Sequence, residues 1–102
     1  MLRHQIKWVA GLPQVFDHEL DVGEVDQFAR TSEALGYTSL WVADMHLRPF
    51  PTLDPLTLLS YVAPLTGKIS LGTSVLISPL YNPILLARTL TSLDHLSQGR
   101  LI

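Results

Sequence analysis

The sequence predicts an α/β fold: the N-terminal portion of a TIM-type (β/α)8 barrel, with about three β/α units and the start of a fourth strand. Three observations carry that prediction. Short apolar runs rich in β-branched and aromatic residues begin near positions 6, 39, 69 and 100, and spacings of 33, 30 and 31 residues match one strand-helix-strand unit. Each of the first three runs is followed by apolar residues at helical period. The runs are continuous in apolarity instead of alternating, as in strands of a parallel sheet covered on both faces.

The first strand is read at Ile6–Leu12. The helix after it places Val22, Val25, Phe28, Ala29, Ser32 and Leu35 on one stripe and turns Glu24, Asp26, Gln27, Arg30 and Glu33 mostly outward, with Gly36 as its C-terminal cap. The second strand spans Ser39–Ala43. Its helix opens with Asp54 as N-cap and Pro55 in the first turn, runs through Leu56, Leu59 and Val62, and closes at Gly67. Pro64 lacks the amide donor that the last turn needs, so that turn is expected to be kinked or frayed. The third strand is read at Ile69–Ile77. The third helix starts at Asn82-Pro83, turns Leu86, Leu90, Leu93 and Leu96 inward and stops at Gly99, and a fourth strand begins at Arg100.

Short strand-helix connections leave a doubly wound sheet and a barrel as alternatives. The first usually carries a glycine-rich phosphate loop after its first strand. Here Gly11-Leu12-Pro13-Gln14 runs into polar residues without G-x-G-x-x-G, which favours the barrel. A complete barrel needs roughly 250 residues. Residues 1–102 are therefore expected to be the N-terminal part of a single barrel domain, with open sheet edges, an uncovered inner face and little stability alone.

Composition narrows the function. The chain is 47% hydrophobic and 16% charged, enough apolar residue to build a core. A net charge of -2, with seven Lys and Arg scattered from Arg3 to Arg100, argues against nucleic acid or a polybasic membrane contact. The apolar runs fall far short of the roughly 20 residues of a membrane span, and no secretion signal precedes them, so the cytoplasm is the expected compartment. Without cysteine there are no thiolate sites or disulfides, and His4 and His18 lack partners at metal-ligand spacing, so no metal is expected.

Four segments taken together carry more information. In order and spacing, Leu35-Gly36-Tyr37-Thr38-Ser39-Leu40-Trp41-Val42-Ala43-Asp44, Asp54-Pro55-Leu56-Thr57-Leu58-Leu59, Ile69-Ser70-Leu71-Gly72-Thr73-Ser74-Val75-Leu76, and Asn82-Pro83 through Leu93-Asp94-His95-Leu96-Ser97-Gln98-Gly99-Arg100-Leu101 resemble the luciferase-like monooxygenase family. The resemblance covers most of the chain. It implies a (β/α)8 barrel that binds FMN or the deazaflavin coenzyme at the C-terminal ends of its strands. The activity implied is that of an oxidoreductase acting on a small organic substrate, with molecular oxygen for a monooxygenase course or hydride exchange for a deazaflavin one. The full-length protein is expected to be a homo-oligomer.

Catalytic groups of such barrels sit at strand ends and in the loops that follow. Asp44 closes the second strand, and the resemblance implies that it approaches the cofactor or orders its neighbours; a loop Asp is also an ordinary turn residue. His46 points to the same side if the chain stays extended, and an imidazole serves acid-base work near neutral pH. Many members of the family carry His directly after the acidic residue, where this chain has Met45. His46 is the expected catalytic residue. Thr73, Ser74 and Val75 resemble the family segment that bulges beneath the flavin ring through a non-prolyl cis peptide, here Ser74–Val75; a strand end packing the core is the plainer reading. Asp44, Thr73, Ser74 and Val75 are the expected cofactor contacts, whereas Asn82 and Pro83 are assigned to the helix start and Asp94 and His95 to its surface.

The phosphate site of such barrels is commonly built near the last two strands, so these residues alone should hold cofactor weakly. Two other readings stand beside this one. A (β/α)8 enzyme of another class would call for Lys or Glu at a strand end, and Lys7 and Lys68 precede or begin strands; a non-catalytic binding module or remnant would carry no chromophore.

Overall fold

In the computed structural model, which describes residues 6–102, β1 (Val9–Gly11), β2 (Ser39–Val42) and β3 (Ser70–Thr73) form one sheet in the order β1-β2-β3. Both pairings are parallel, with Val9 opposite Ser39 and Ser39 opposite Ser70. Parallel neighbours need a crossover, and α1 (Val22–Ala34) and α2 (Pro55–Val62) supply the two required here, with α3 (Pro83–Leu96) after β3. The fourth strand position is marked by a parallel bridge between Leu101 and Leu71. Leu71 N–H donates to Arg100 O at 2.8 Å and Ile102 N–H to Leu71 O at 2.8 Å. Arg3 and His4 lie outside the described residues.

Residues on one rung of a parallel ladder share a face. Leu40 and Leu71 are opposite each other, as are Val42 and Thr73. Leu40, Leu71 and Val42 are buried in one cluster with Val25 and Ala29 of α1, Leu56, Leu59 and Val62 of α2, and Leu93 of α3. Removing each such leucine from water contributes about 2 kcal/mol. On the other face the Trp41 ring lies over Gly72, where an added Cβ would come within 2.7 Å of the indole. Glycine is needed there for this close approach.

The helix starts follow their local signals. Asp54 Oδ2 accepts from Thr57 N–H at 2.9 Å, and Asn82 Oδ1 accepts from Ile84 N–H at 3.0 Å and Leu85 N–H at 3.2 Å. Gly36, at φ 88°, takes the left-handed conformation after α1. Around Pro64 the end of α2 tightens into a single 3-10 turn over Ala63–Leu65, the distortion expected from the missing donor.

Several boundaries differ from the sequence reading. The first strand is paired from Val9, not Ile6, and the third stops at Thr73 instead of Ile77, since beyond Val75 the Ile77 amide is taken by the Asp44 side chain and not by a neighbouring strand; the Ser74–Val75 bond is cis. The helical stripes are narrower than expected: Val22 and Leu35 at the ends of the α1 stripe are exposed, and Leu96 is 81% exposed while Leu93 faces the core.

Glu33 is not a solvated residue either. Its carboxylate accepts N–H bonds from Gly67 at 3.0 Å, Lys68 at 2.7 Å and Ile69 at 2.9 Å, and so holds the chain entering β3. On the same side, the Arg100 guanidinium donates to the carbonyls of Ala63, Ile69 and Ser97 and to the Thr66 hydroxyl. Burial pushes the Glu33 carboxyl up, but the three N–H donors and the Arg100 charge outweigh it and hold it below its ordinary value of 4.5. A lowered carboxylate contributes stability that is present above 4.5 and lost as pH falls through the folded value. Glu33→Gln should therefore lower unfolding stability by about 1 to 2 kcal/mol at neutral pH. In urea titrations the difference from wild type should shrink as pH drops below 4.5; a constant difference would refute the assignment.

Candidate functional site

The C-terminal tips of β2 and β3 continue to pair after the strands end. Ser74 N–H donates to Val42 O at 2.7 Å, and Asp44 N–H to Val75 O at 3.0 Å. Asp44 and Ser74 therefore meet on one rim of the sheet, where the loops after all three strands emerge.

The Asp44 side chain is only 1% exposed. Such a carboxylate is tolerated when donors surround it. Its oxygens accept from Tyr81 Oη, 2.9 Å from each, and Oδ2 also accepts from Ile77 N–H at 2.8 Å. His46 Nε2 stands 3.3 Å from Oδ1, while the imidazole remains 50% exposed on the rim. Burial and the Asp44 carboxylate push the Tyr81 phenol up to about 12, so it is a protonated donor at neutral pH.

Gln14, in the loop after β1, fixes the tip of β2 from the other side. Its amide nitrogen donates to Ala43 O at 2.5 Å and Leu53 O at 3.0 Å, and its amide oxygen accepts from Ala43 N–H at 3.0 Å. The two loops also touch through an antiparallel bridge between Val15 and Thr52, and Phe16 N–H donates to Pro51 O at 3.1 Å. Between the tips of β1, β2 and β3 lies an open hollow of about 370 Å³, lined by Gly11, Leu12, Trp41, Val42, Met45 and Ser74 among others. Thr73 is half-buried, Ser74 is exposed and lines the hollow, and Val75 presents an apolar side chain that is 67% exposed.

The structure thus brings Asp44, His46, Thr73, Ser74 and Val75 to one rim. Tyr81 and Gln14 were missed by the sequence reading. A phenol directly before the Asn82-Pro83 helix start, and an amide side chain after Gly11-Leu12-Pro13, were the local signals present, and neither reveals a partner about 30 residues away. His18, for which the sequence offered no partner, stands 2.8 Å from Asp17 Oδ1 and 3.4 Å from Glu24 Oε1 on the exposed surface. The Asp17 hydrogen bond, reinforced by Glu24, raises its pKa. Among the described residues no group of three His, Asp or Glu side chains is arranged to hold a metal ion, and no helix is long and apolar enough to cross a membrane.

The family model described as luciferase-like monooxygenase matches residues 9–102. The chain is 37% identical over 86 residues to an F420-dependent glucose-6-phosphate dehydrogenase of Kineococcus radiotolerans, covering 78% of this chain and 25% of that protein. It is 33% identical over 75 residues to 4-hydroxyprotoasukamycin monooxygenase of Streptomyces nodosus subsp. asukaensis, covering 72% of this chain and 20% of that protein. Among solved structures, the oxygenating constituent of 3,6-diketocamphane monooxygenase from Pseudomonas putida, in complex with FMN, superposes with a TM-score of 0.80 over 96% of this chain and 28% of its own. At 14% identity that likeness is one of fold. The chain spans a quarter or less of the length of the two curated relatives.

Because Gln14 is buried and serves both backbone groups of Ala43, Gln14→Met keeps the volume but leaves the part-buried N–H and C=O of Ala43 without their side-chain partner. The expected loss is about 2 to 3 kcal/mol of unfolding stability, read from chemical denaturation. A loss within experimental error would show that water replaces the amide.

Proposed function

This chain belongs to the luciferase-like monooxygenase family, and on that premise we propose that it forms the N-terminal part of a single (β/α)8 domain whose rim binds FMN or the deazaflavin coenzyme F420. The full-length protein is then a flavin- or deazaflavin-dependent oxidoreductase or monooxygenase acting on a small organic substrate, with molecular oxygen as second substrate in the monooxygenase course. The observation that carries the reading is the convergence of Asp44, His46 and the Thr73–Val75 segment on one rim, with Ser74 lining an open hollow between the strand tips.

The residues present suit a planar ring with a polar edge. Val75 offers an exposed apolar surface at the tip of β3, and a Cβ added at Gly11 would meet nothing within 4 Å, so there is room beside the tip of β1. Polar groups stand on the same rim: the hydroxyl of Ser74, which lines the hollow, and the half-exposed His46 ring. The cofactor, when bound, supplies the hydride or electron chemistry, and the protein positions it. In this reading Thr73, Ser74 and Val75 touch the ring. Asp44 serves the cofactor through the groups it holds, because its own oxygens are buried under Tyr81, Ile77 and His46. His46 is the group that holds or moves a proton at the rim, since its ring is half-exposed and open to a bound molecule.

Two further features complete the proposal. The absence of cysteine supports a reducing compartment, the cytoplasm. The second is a homo-oligomeric full-length protein, as the resemblance to the family implies.

Fluorescence quenching with FMN and with F420 tests the reading. The full-length protein should bind one of them with a Kd on the order of micromolar, and the 102-residue chain at least about 100-fold more weakly. Val75→Asp, which puts a charge on the apolar surface, should weaken binding about tenfold or more. His46→Gln should lower turnover by about 100-fold with cofactor affinity little changed. Failure of both cofactors to bind the full-length protein would falsify the reading, and stoichiometric cofactor on the 102-residue chain would overturn the division of the site.

A further inference from the structure

Besides the Ser74 N–H bond to Val42 O at 2.7 Å, the loop between β3 and α3 is attached to the rest of the rim at three places. Near its start, Val75 O accepts from Asp44 N–H at 3.0 Å; in its middle, Ile77 N–H donates to Asp44 Oδ2 at 2.8 Å; at its end, Tyr81 Oη stands 2.9 Å from both carboxylate oxygens. All three attachments converge on one residue, and the same carboxylate faces His46 Nε2 at 3.3 Å. A carboxylate with 1% exposure has little access to water as a substitute partner, so the loss of one donor is felt by the others.

We propose that Tyr81 is a positioning residue for the cofactor site: through the buried carboxylate of Asp44 it holds loop 74–81 on the tip of β2, and so keeps the Ser74–Val75 edge in a fixed relation to His46. This inference rests on the reading that the edge receives the cofactor ring. Tyr81 touches neither the ring nor the substrate in this arrangement. Its hydroxyl acts at a distance because Asp44 connects both ends of the loop and the imidazole.

The test compares Tyr81→Phe, Asp44→Asn and the double variant in full-length protein, using FMN and F420 as probes. Tyr61→Phe serves as control, since Tyr61 makes a comparable bond to Asp26 between α1 and α2, away from the rim. Tyr81→Phe should weaken cofactor binding roughly tenfold and speed amide exchange of Ile77 and Asp44 by a similar factor, leaving exchange within α2 unchanged. Tyr61→Phe should do neither. The double variant should be about as impaired as the poorer single one, because both changes break one connection. If Tyr81→Phe does not fold, Asp44→Asn must show the same selective exchange at Ile77. Unchanged affinity in Tyr81→Phe, equal effects of Tyr61→Phe, or additive losses would overturn the proposal. If neither probe binds wild type, the cofactor reading itself fails, and the exchange at Ile77 and Asp44 then decides alone whether Tyr81 sets the loop.

Discussion

Because β1, β2 and β3 run in the same direction, with Leu40 opposite Leu71 and Val42 opposite Thr73, every segment that leaves a strand leaves it at the same edge. Antiparallel pairing would have sent Asp44 and Ser74 to opposite ends of the sheet. The parallel arrangement is held from one side only, by the apolar contacts of Leu40, Leu71 and Val42 with the three helices. It commits those helices to the outer layer and leaves Trp41 over Gly72 on the other face. The hollow at the strand tips is a consequence of that division, as in barrels whose active sites are built from the loops after the strands.

Parallel pairing brings the tips together, but it does not fix the loops beyond them. That is done by side chains whose polar groups are bonded to backbone: Gln14 to Ala43 and Leu53, Asp44 to Ile77. Each lies in a nearly dry setting, where an unmade hydrogen bond is costly. The rim is therefore rigid at its base, with Asp44 inaccessible, and open at its surface, where His46, Ser74 and Val75 meet solvent.

Features that depend on neighbours in sequence were legible in the sequence. Asp54 and Asn82 cap helices because their carbonyl or carboxylate oxygens reach N–H groups two or three residues on, and Gly36 ends α1 because its φ of 88° favours glycine. The strand spacing and the start of a fourth strand near Arg100 were legible for the same reason, since the period of the units is written in the chain itself, whereas the register that sets Leu101 beside Leu71 was not. Features set by distant partners were not. Ile77 reads as strand by its side chain, yet its amide is taken by Asp44, 33 residues earlier. Glu33 reads as solvated, yet it holds the backbone of residues 67–69. The membership of Asp44 and His46 on one rim could be read from spacing and resemblance, but the roles of Gln14 and Tyr81 could not, because neither residue carries its partner nearby.

The two ends of the sheet solve different problems with the same kind of bond. At the N-terminal end, Glu33 and Arg100 spend their polar groups largely on backbone, and their contribution there is stability. At the C-terminal end the carboxylate of Asp44 is equally consumed, but one of its neighbours is the half-exposed imidazole of His46. The difference lies in that last partner. When redox chemistry belongs to a bound cofactor, the protein needs little more at this end than an apolar surface, a few donors and one group that can exchange a proton, provided they keep their relative positions. Under the proposed function a buried carboxylate shared between loop and imidazole would meet that need, since it can be inaccessible to a bound molecule and still set where its neighbours stand.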